Sequence, residues 1–401
     1  MRRGSILSLL GLSTHWSASV VAKAKDGNDE GQHRLKHPLA SMASPEAASM
    51  EHIDDDMLAR RVQRFTTFGH VPYVNCFAKE EKGDNSSRYD IAILGAPSDI
   101  AVTGRPGARF GPSSIRSASE SKSYGYSVFT AVASVGRDPL RDWARVVDCG
   151  DPRLSPLDKL VAFRTLDRAH ELVSLRPAAN PNRTAAPRVL MLGGDHSTTL
   201  SALRAVHKRW GKVSVVHFDS HIGERLNTWD TEGAVSEYAK LDHGTFLYFA
   251  HEEGLILDTS IHAGIRAPHY FHRDITNDRR VGFATVNARE VDTIGIRGVV
   301  DKIRQRVGDS RVYVTVDIDV LDPAFAPATG TPEPGGWSTR ELLTILQGLE
   351  GLNVVGADVV EVAPVYDTAS QTTALAAAEV VISLLDLMVG SPVKGNASQT
   401  P

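Results

Sequence analysis

The chain has 401 residues, 42% of them hydrophobic and 23% charged, the composition of a globular protein with a substantial core. Its 44 basic and 48 acidic side chains leave a net charge of -4, and no basic run offers a nucleic-acid footprint, so no nucleic acid is expected as a partner. Two cysteines, Cys76 and Cys149, exclude a disulfide framework and a Cys-only metal site. One bridge between them is open; two buried free thiols are the expectation.

Residues 1–24 have the pattern of a signal or targeting peptide. Arg2 and Arg3 form a basic start, residues 6–12 a short apolar stretch, and Ala22-Lys23-Ala24 a small-x-small cleavage site. A secreted or secretory-pathway protein is the first expectation. The alternative is a mitochondrial one, because no acid precedes Asp26. Asn85-Ser86-Ser87, Asn182-Arg183-Thr184 and Asn396-Ala397-Ser398 are glycosylation triplets usable in the first case. Residues 25–87 read as a polar, partly mobile N-terminal extension. No later run is expected to reach the ~20 apolar residues that span a bilayer, so no membrane partner is expected.

From residue 88 to 390 short apolar runs alternate with amphipathic stretches, and 391–401 form a tail. Strands are expected at 89–94, 145–147, 188–192, 213–218, 260–265, 311–316 and 353–360. Helices are expected at 157–175, 197–210, 299–307, 339–349 and 372–388. This alternation argues for a parallel sheet covered on both faces. In such sheets ligands sit beyond the carboxyl ends of the strands.

Three of those ends carry polar clusters: Gly193-Gly194-Asp195-His196-Ser197, His217-Phe218-Asp219-Ser220-His221, and Asp317-Ile318-Asp319 followed by Asp322-Pro323. Asp219 and His221 are two apart, as are Asp317 and Asp319, and on extended backbone such pairs share a face. With His196 they bring three carboxylates and two imidazoles toward one point. Three close carboxylates repel each other unless cations relieve them. The mixed donor set suits manganese ahead of iron, cobalt or zinc, with Asp219 and Asp317 bridging two ions. Gly193-Gly194 lacks the spacing of a dinucleotide or nucleotide loop.

These three clusters resemble the metal signatures of the arginase and agmatinase family of ureohydrolases. The tract 104–112 (Gly-Arg-Pro-Gly-Ala-Arg-Phe-Gly-Pro), His243-Gly244-Thr245 and Val360-Glu361-Val362-Ala363-Pro364 add to the resemblance. It implies one three-layer α/β/α catalytic domain with a mainly parallel sheet, assembled as a homo-oligomer. It implies two Mn2+ per subunit, one on His196, the other on His221 and Asp319, with Asp219 and Asp317 shared. A metal-bridging hydroxide would attack a guanidino carbon, with Glu361 holding the guanidinium and His243 moving protons to the leaving amine. The expected substrate is agmatine, released as putrescine and urea. Guanidino acids would need a basic group for their carboxylate, which the sequence does not place. His262, His269 and His272 match no family ligand and read as structural or exposed.

The chain departs from the family pattern two residues after His221, where a further aspartate is usual and Gly223 stands. If 223–226 are taken as extra residues, Asn227 faces that position, with Glu224 and Asp230 as neighbouring carboxylates. The expectation is weaker metal binding on the His196 side. A catalytically weakened member that binds metal or a guanidino ligand is therefore the alternative. A one-zinc deacetylase on the related fold is disfavoured by His196. Thr315, where serine is common, keeps the hydroxyl.

Overall fold

The computed structural model describes residues 66–79, 87–121, 124–125, 136–223, 237–269 and 272–394. The expected targeting segment 1–24, most of the expected extension 25–87, the triplets at Asn85 and Asn396, and the tract with Glu224, Asn227 and Asp230 lie outside the described residues.

Eight strands form one parallel sheet: β1 (Ile91–Gly95), β2 (Val146–Asp148), β3 (Arg188–Leu192), β4 (Ser214–Phe218), β5 (Ile261–Ile265), β6 (Ala284–Asn287), β7 (Arg311–Asp317) and β8 (Asn353–Val360). Their spatial order is β2-β1-β3-β8-β7-β4-β5-β6, and every pairing is parallel. The central strands are buried on both faces, which explains their continuous β-branched runs.

The helices are α1 (Gly111–Glu120), α2 (Lys159–Ser174), α3 (Thr199–Trp210), α4 (Phe246–Glu252), α5 (His272–Val281), α6 (Glu290–Val307), α7 (Thr339–Gly348) and α8 (Thr372–Gly390). Strand alternation sorts them into two layers. Ile91, Ile93, Val216 and Phe218 pack with residues of α1, α6, α7 and α8. Val215, Tyr313 and Val355 face the other way, against α3 and α4, and Ala92 and Leu94 pack with α2. The three-layer α/β/α architecture follows. Helix ends obey local chemistry: Asp158 caps α2 through the Val161 N–H, and Ser338 with Glu341 forms a capping box on α7.

Two expectations are corrected. Helix α8 is long and apolar enough, by length and composition, to cross a membrane, with mean hydropathy 1.8 over its apolar window. Its apolar side chains instead fill the core, and 67% of that window is buried. Cys76 and Cys149 are not free thiols but a disulfide. The reason is a register that composition does not reveal. Residues 72–74 run beside β2, with Asp148 N–H donating to Pro72 O and Val74 N–H to Asp148 O. This sets Cys76 next to Cys149. Part of the extension is thus packed onto the domain, with Phe68 fully buried. Elements α1, α4, α5 and β6 were not anticipated; most are short or polar.

The bridge spans 73 residues of sequence. Constraining the unfolded chain over such a loop is worth about 4 kcal/mol in the chain-entropy description. Cys76→Ser, or reduction of the wild type, is expected to lower the denaturant midpoint accordingly. An identical midpoint with and without dithiothreitol would refute the bridge.

His170 on α2 is fully enclosed beside Met191, and burial alone draws its pKa down to about 3. The unfolded chain then binds a proton that the folded chain refuses, so stability falls with pH from about 6.5 down toward 3. At pH 4.5 this group costs about 2 to 3 kcal/mol. His170→Leu should flatten that acid limb. Parallel stability curves for the two proteins from pH 7 to 4.5 would disprove the assignment.

Candidate metal centre

The carboxyl ends of β3, β4, β7 and β8 meet at the middle of the sheet, where the strand order reverses. Each delivers part of the site. After β3 the chain turns through Gly193 and Gly194. A Cβ on Gly194 would lie 1.7 Å from Ser98 O, and one on Gly193 would lie 2.4 Å from Val360 Cγ1. The glycine pair is there for close backbone passage, not for a phosphate. Asp195 then accepts from the Ser197 N–H and caps the turn holding His196.

The five predicted ligands converge. His196 Nδ1 lies 3.0 Å from Asp219 Oδ2 and 3.2 Å from Asp317 Oδ2. His221 Nδ1 lies 3.3 Å from Asp219 Oδ1 and 3.1 Å from Asp319 Oδ2. Asp219 therefore faces both imidazoles, one with each oxygen. The donor atoms of Asp219, His221 and Asp319 lie within 4.8 Å of one another, close enough to hold one ion.

The cluster is electrostatically frustrated as a set of protein groups. Burial pushes Asp317 well above the usual carboxylate range, and the charges of Asp319 and Asp219 push it further. Burial opposes a charge on His196, yet its bonds to Asp219 and Asp317 hold its pKa well above the ordinary value; Asp319 and Asp219 do the same for His221. Protons thus stand where cations would relieve the same repulsion. The donor chemistry fits divalent ions.

Thr315 has a role that its serine-like hydroxyl only hinted at. Its Oγ1 donates to Asp358 Oδ1 and lies 2.8 Å from His196 Nε2. Asp358 Oδ2 also takes the hydroxyls of Thr199 and Tyr313. With the Thr315 proton committed to Asp358, Oγ1 accepts from His196 Nε2–H. That leaves the Nδ1 lone pair facing Asp219 and Asp317 (a tautomer assigned from the partners).

Glu361 follows β8 with a left-handed backbone, φ +61°. Its Oε1 accepts from the His196 backbone N–H at 2.8 Å and lies 3.1 Å from His243 Nδ1. Its Oε2 is buried with no partner. His243 Nε2 meets both the Thr103 N–H, at 3.1 Å, and Thr103 Oγ1, at 2.7 Å. Burial opposes the charged form of His243, but Glu361 outweighs it and raises the pKa. Thr103, beside the 104–112 tract, carried no signal of its own.

Gly223 also has a positive φ, +64°, and a Cβ there would meet Phe246 Cε1 at 3.0 Å. The backbone at this position suits glycine, so a carboxylate is not simply interchangeable with it. His269 and His272 are exposed. His262 is buried, and so is His217, to which the sequence assigned no role. A pocket at the cluster is lined by Asp219, His221 and Asp317 together with Thr103, Gly223, His243, Gly244 and Thr331.

Thr315→Val keeps the volume and removes the acceptor for His196 Nε2–H. Affinity for Mn(II), read by calorimetry on metal-stripped protein, should fall about tenfold or more. Unchanged affinity in a folded variant would remove Thr315 from the site.

The arginase family model matches residues 89–386. "Putative agmatinase 1" of Schizosaccharomyces pombe is 46% identical over 341 residues, covering 82% of this chain and 83% of its own length. The agmatinase of Neisseria meningitidis is 40% identical over 302 residues, covering 75% of this chain and 88% of its own. Among solved structures, the proclavaminate amidino hydrolase of Streptomyces clavuligerus superposes with a TM-score of 0.68 at 35% identity, covering 82% of this chain and 99% of its own.

Proposed function

The chain belongs to the arginase family and is an amidinohydrolase, and from that premise we propose that it hydrolyses agmatine to putrescine and urea with manganese as its metal. The observation that carries the substrate side is the Glu361 carboxylate. One oxygen is committed within the protein and the other is buried without a partner above the cluster. A planar guanidinium offers the paired N–H groups that such a carboxylate takes best. The relatives named agmatinase support the same substrate.

His196, Asp219 and Asp317 would hold one ion, and His221, Asp219, Asp317 and Asp319 the other. When bound, such ions lower the pKa of coordinated water toward neutrality and so supply a nucleophile. The chain's own groups do the rest. Glu361 fixes the guanidino carbon over the cluster and removes water from one side of it. His243 stands between Glu361 and Thr103, and both of its protonation states are satisfied there. The neutral ring accepts the Thr103 N–H at Nε2; the charged ring donates Nε2–H to Thr103 Oγ1. A group satisfied in both states can give a proton to the departing amine and recover it without reorganising. Water adds to the guanidino carbon, the bond to the alkyl nitrogen breaks, and that nitrogen leaves as putrescine.

The pocket also bears on substrate choice. Among its described lining residues there is no arginine or lysine. Arg105, nearby, donates to Thr329 O and Gly330 O and lies 4.7 Å over the Tyr366 ring. Among the described residues no free cation there greets a substrate carboxylate, in keeping with agmatine; Arg225, two residues beyond Gly223, lies outside them. Gly223 is the observation behind the second reading, a member that binds metal or a guanidino ligand with little turnover. The Cys76–Cys149 bridge supports an oxidising compartment, in keeping with the secretory reading of residues 1–24.

Urea release by manganese-loaded protein from agmatine, arginine and 4-guanidinobutyrate decides among these. Agmatine should turn over fastest. Arginine turned over equally well would overturn the substrate, and full metal occupancy with no urea from any of the three would establish the weakened reading. Glu361→Gln should lower kcat/KM for agmatine by about 100-fold, the scale of one buried charge-assisted contact.

A further inference from the structure

His217 is fully buried on β4, two residues before Asp219, and nothing described so far gives it a task. Its Nε2 lies 2.9 Å from Asp219 Oδ2, the same oxygen that His196 Nδ1 approaches. Yet Nε2 has no aligned hydrogen-bond partner and is sealed from solvent. The nearest donor atoms of His196, His217 and Asp219 all lie within 4.8 Å of one another.

The other ring nitrogen explains what Nε2 carries. His217 Nδ1 is 2.7 Å from His262 Nδ1, and His262 Nε2 is 2.9 Å from Asp278 Oδ1 on α5. One proton fits between the two facing Nδ1 atoms. The Asp278 carboxylate takes the His262 Nε2–H. His262 Nδ1 is then the acceptor, and His217 Nδ1–H the donor. This is the arrangement in which both rings are neutral and Asp278 is the one charge in the chain. It leaves a bare lone pair on His217 Nε2, facing the Asp219 carboxylate. Two lone pairs at 2.9 Å repel, and the contact is satisfied when a cation sits between them.

The construction repeats the one behind His196, where Asp358 and Thr315 leave the Nδ1 lone pair free. The rings are also held in place. His196 stacks on Phe246, whose edge His217 meets, and His262 stacks on Phe283. Donor atoms about 2.1 Å from a shared ion and at right angles to each other lie about 3.0 Å apart. The separations around Asp219 Oδ2 are 2.9 Å to His217 and 3.0 Å to His196.

We propose that His217 Nε2 is a metal ligand: it adds a nitrogen donor to the ion held by His196, Asp219 and Asp317, with Asp278 and His262 fixing its tautomer. The inference rests on the reading of this cluster as a metal centre. It gives the His196 side a fourth protein donor among the described residues, drawn from inside a strand instead of from the loop after His221.

The test uses the full chain, stripped of metal and reloaded with Mn(II). Calorimetry on wild type, His217→Phe and His262→Phe gives stoichiometry and affinity, and crystals of the loaded wild type give the distance from Nε2 to the ion. The expected results are two ions in the wild type and Nε2 within about 2.3 Å of one of them. His217→Phe should weaken one of the two sites by at least 100-fold, and His262→Phe by about 10-fold through the lost orientation of His217. Two bound ions with Nε2 more than about 3 Å from either would overturn the proposal and leave the metal centre standing. So would wild-type affinity in a folded His217→Phe. A wild type that binds no Mn(II) would overturn both this proposal and the reading beneath it. If His217→Phe does not fold, the distance in the wild type decides alone.

Discussion

The structure turns on one constraint: three carboxylates and several imidazoles are packed, almost fully buried, at the middle of a parallel sheet. Without cations, only protons relieve their mutual repulsion. Asp317 is driven toward its neutral form by burial and by like charge, while His196 and His221 are driven toward their charged forms by those same acids. Folding such a cluster costs stability, and the cost is offset where divalent ions take the place of protons. The rest of the domain serves to hold this cluster still. Central strands with fully buried faces carry the candidate ligands at their ends, and α8, apolar along most of its length, packs against one face of the sheet.

Behind the cluster the fold sets proton positions by fixed polar chains. Asp358 collects three hydroxyls, from Thr199, Tyr313 and Thr315, and so is satisfied wholly within the protein. Its effect reaches the cluster through Thr315 and the ring of His196. Asp278 acts in the same way through His262 on His217. The two chains lie on opposite sides of β4. Each converts a distant carboxylate into the orientation of a ring nitrogen, which would tune a bound ion without touching it.

What could be read from the sequence follows from how local each signal is. Asp219 with His221 and Asp317 with Asp319 were legible because a two-residue period on extended backbone puts both members of a pair on one face. The strands were legible from their short continuous apolar runs instead: β3 and β8 fall on the expected residues, 188–192 and 353–360. His217, two residues before Asp219, shares that face too, but the period alone does not tell a ligand from a core histidine. It sits among apolar neighbours, and its meaning depends on His262 and Asp278, which reach it only through the β4–β5 pairing and the packing of α5. The disulfide was hidden likewise, because the pairing of Cys76 with Cys149 depends on residues 72–74 lying along β2. Thr103 was invisible because its backbone N–H matters as much as its side chain.

Glu361 shows how a carboxylate kept for a ligand differs from one kept for the fold. Asp358 and Glu361 are equally buried, and both stand on β8 or just beyond it. Asp358 has partners on both oxygens, in ordinary strand backbone. Glu361 has a left-handed backbone, an arrangement that costs about 1 to 3 kcal/mol for a residue with a side chain. It also leaves Oε2 without a partner, which adds a desolvation cost of similar size. No partner among the described residues recovers the cost at Oε2. The strained backbone does, however, hold Oε1 on the His196 N–H and beside His243, and turns Oε2 toward Gly330, where a side chain is absent. A planar cation arriving there would find one edge of a fixed carboxylate already stripped of water. Strain and desolvation borne by the empty enzyme are then costs the bound substrate does not have to meet.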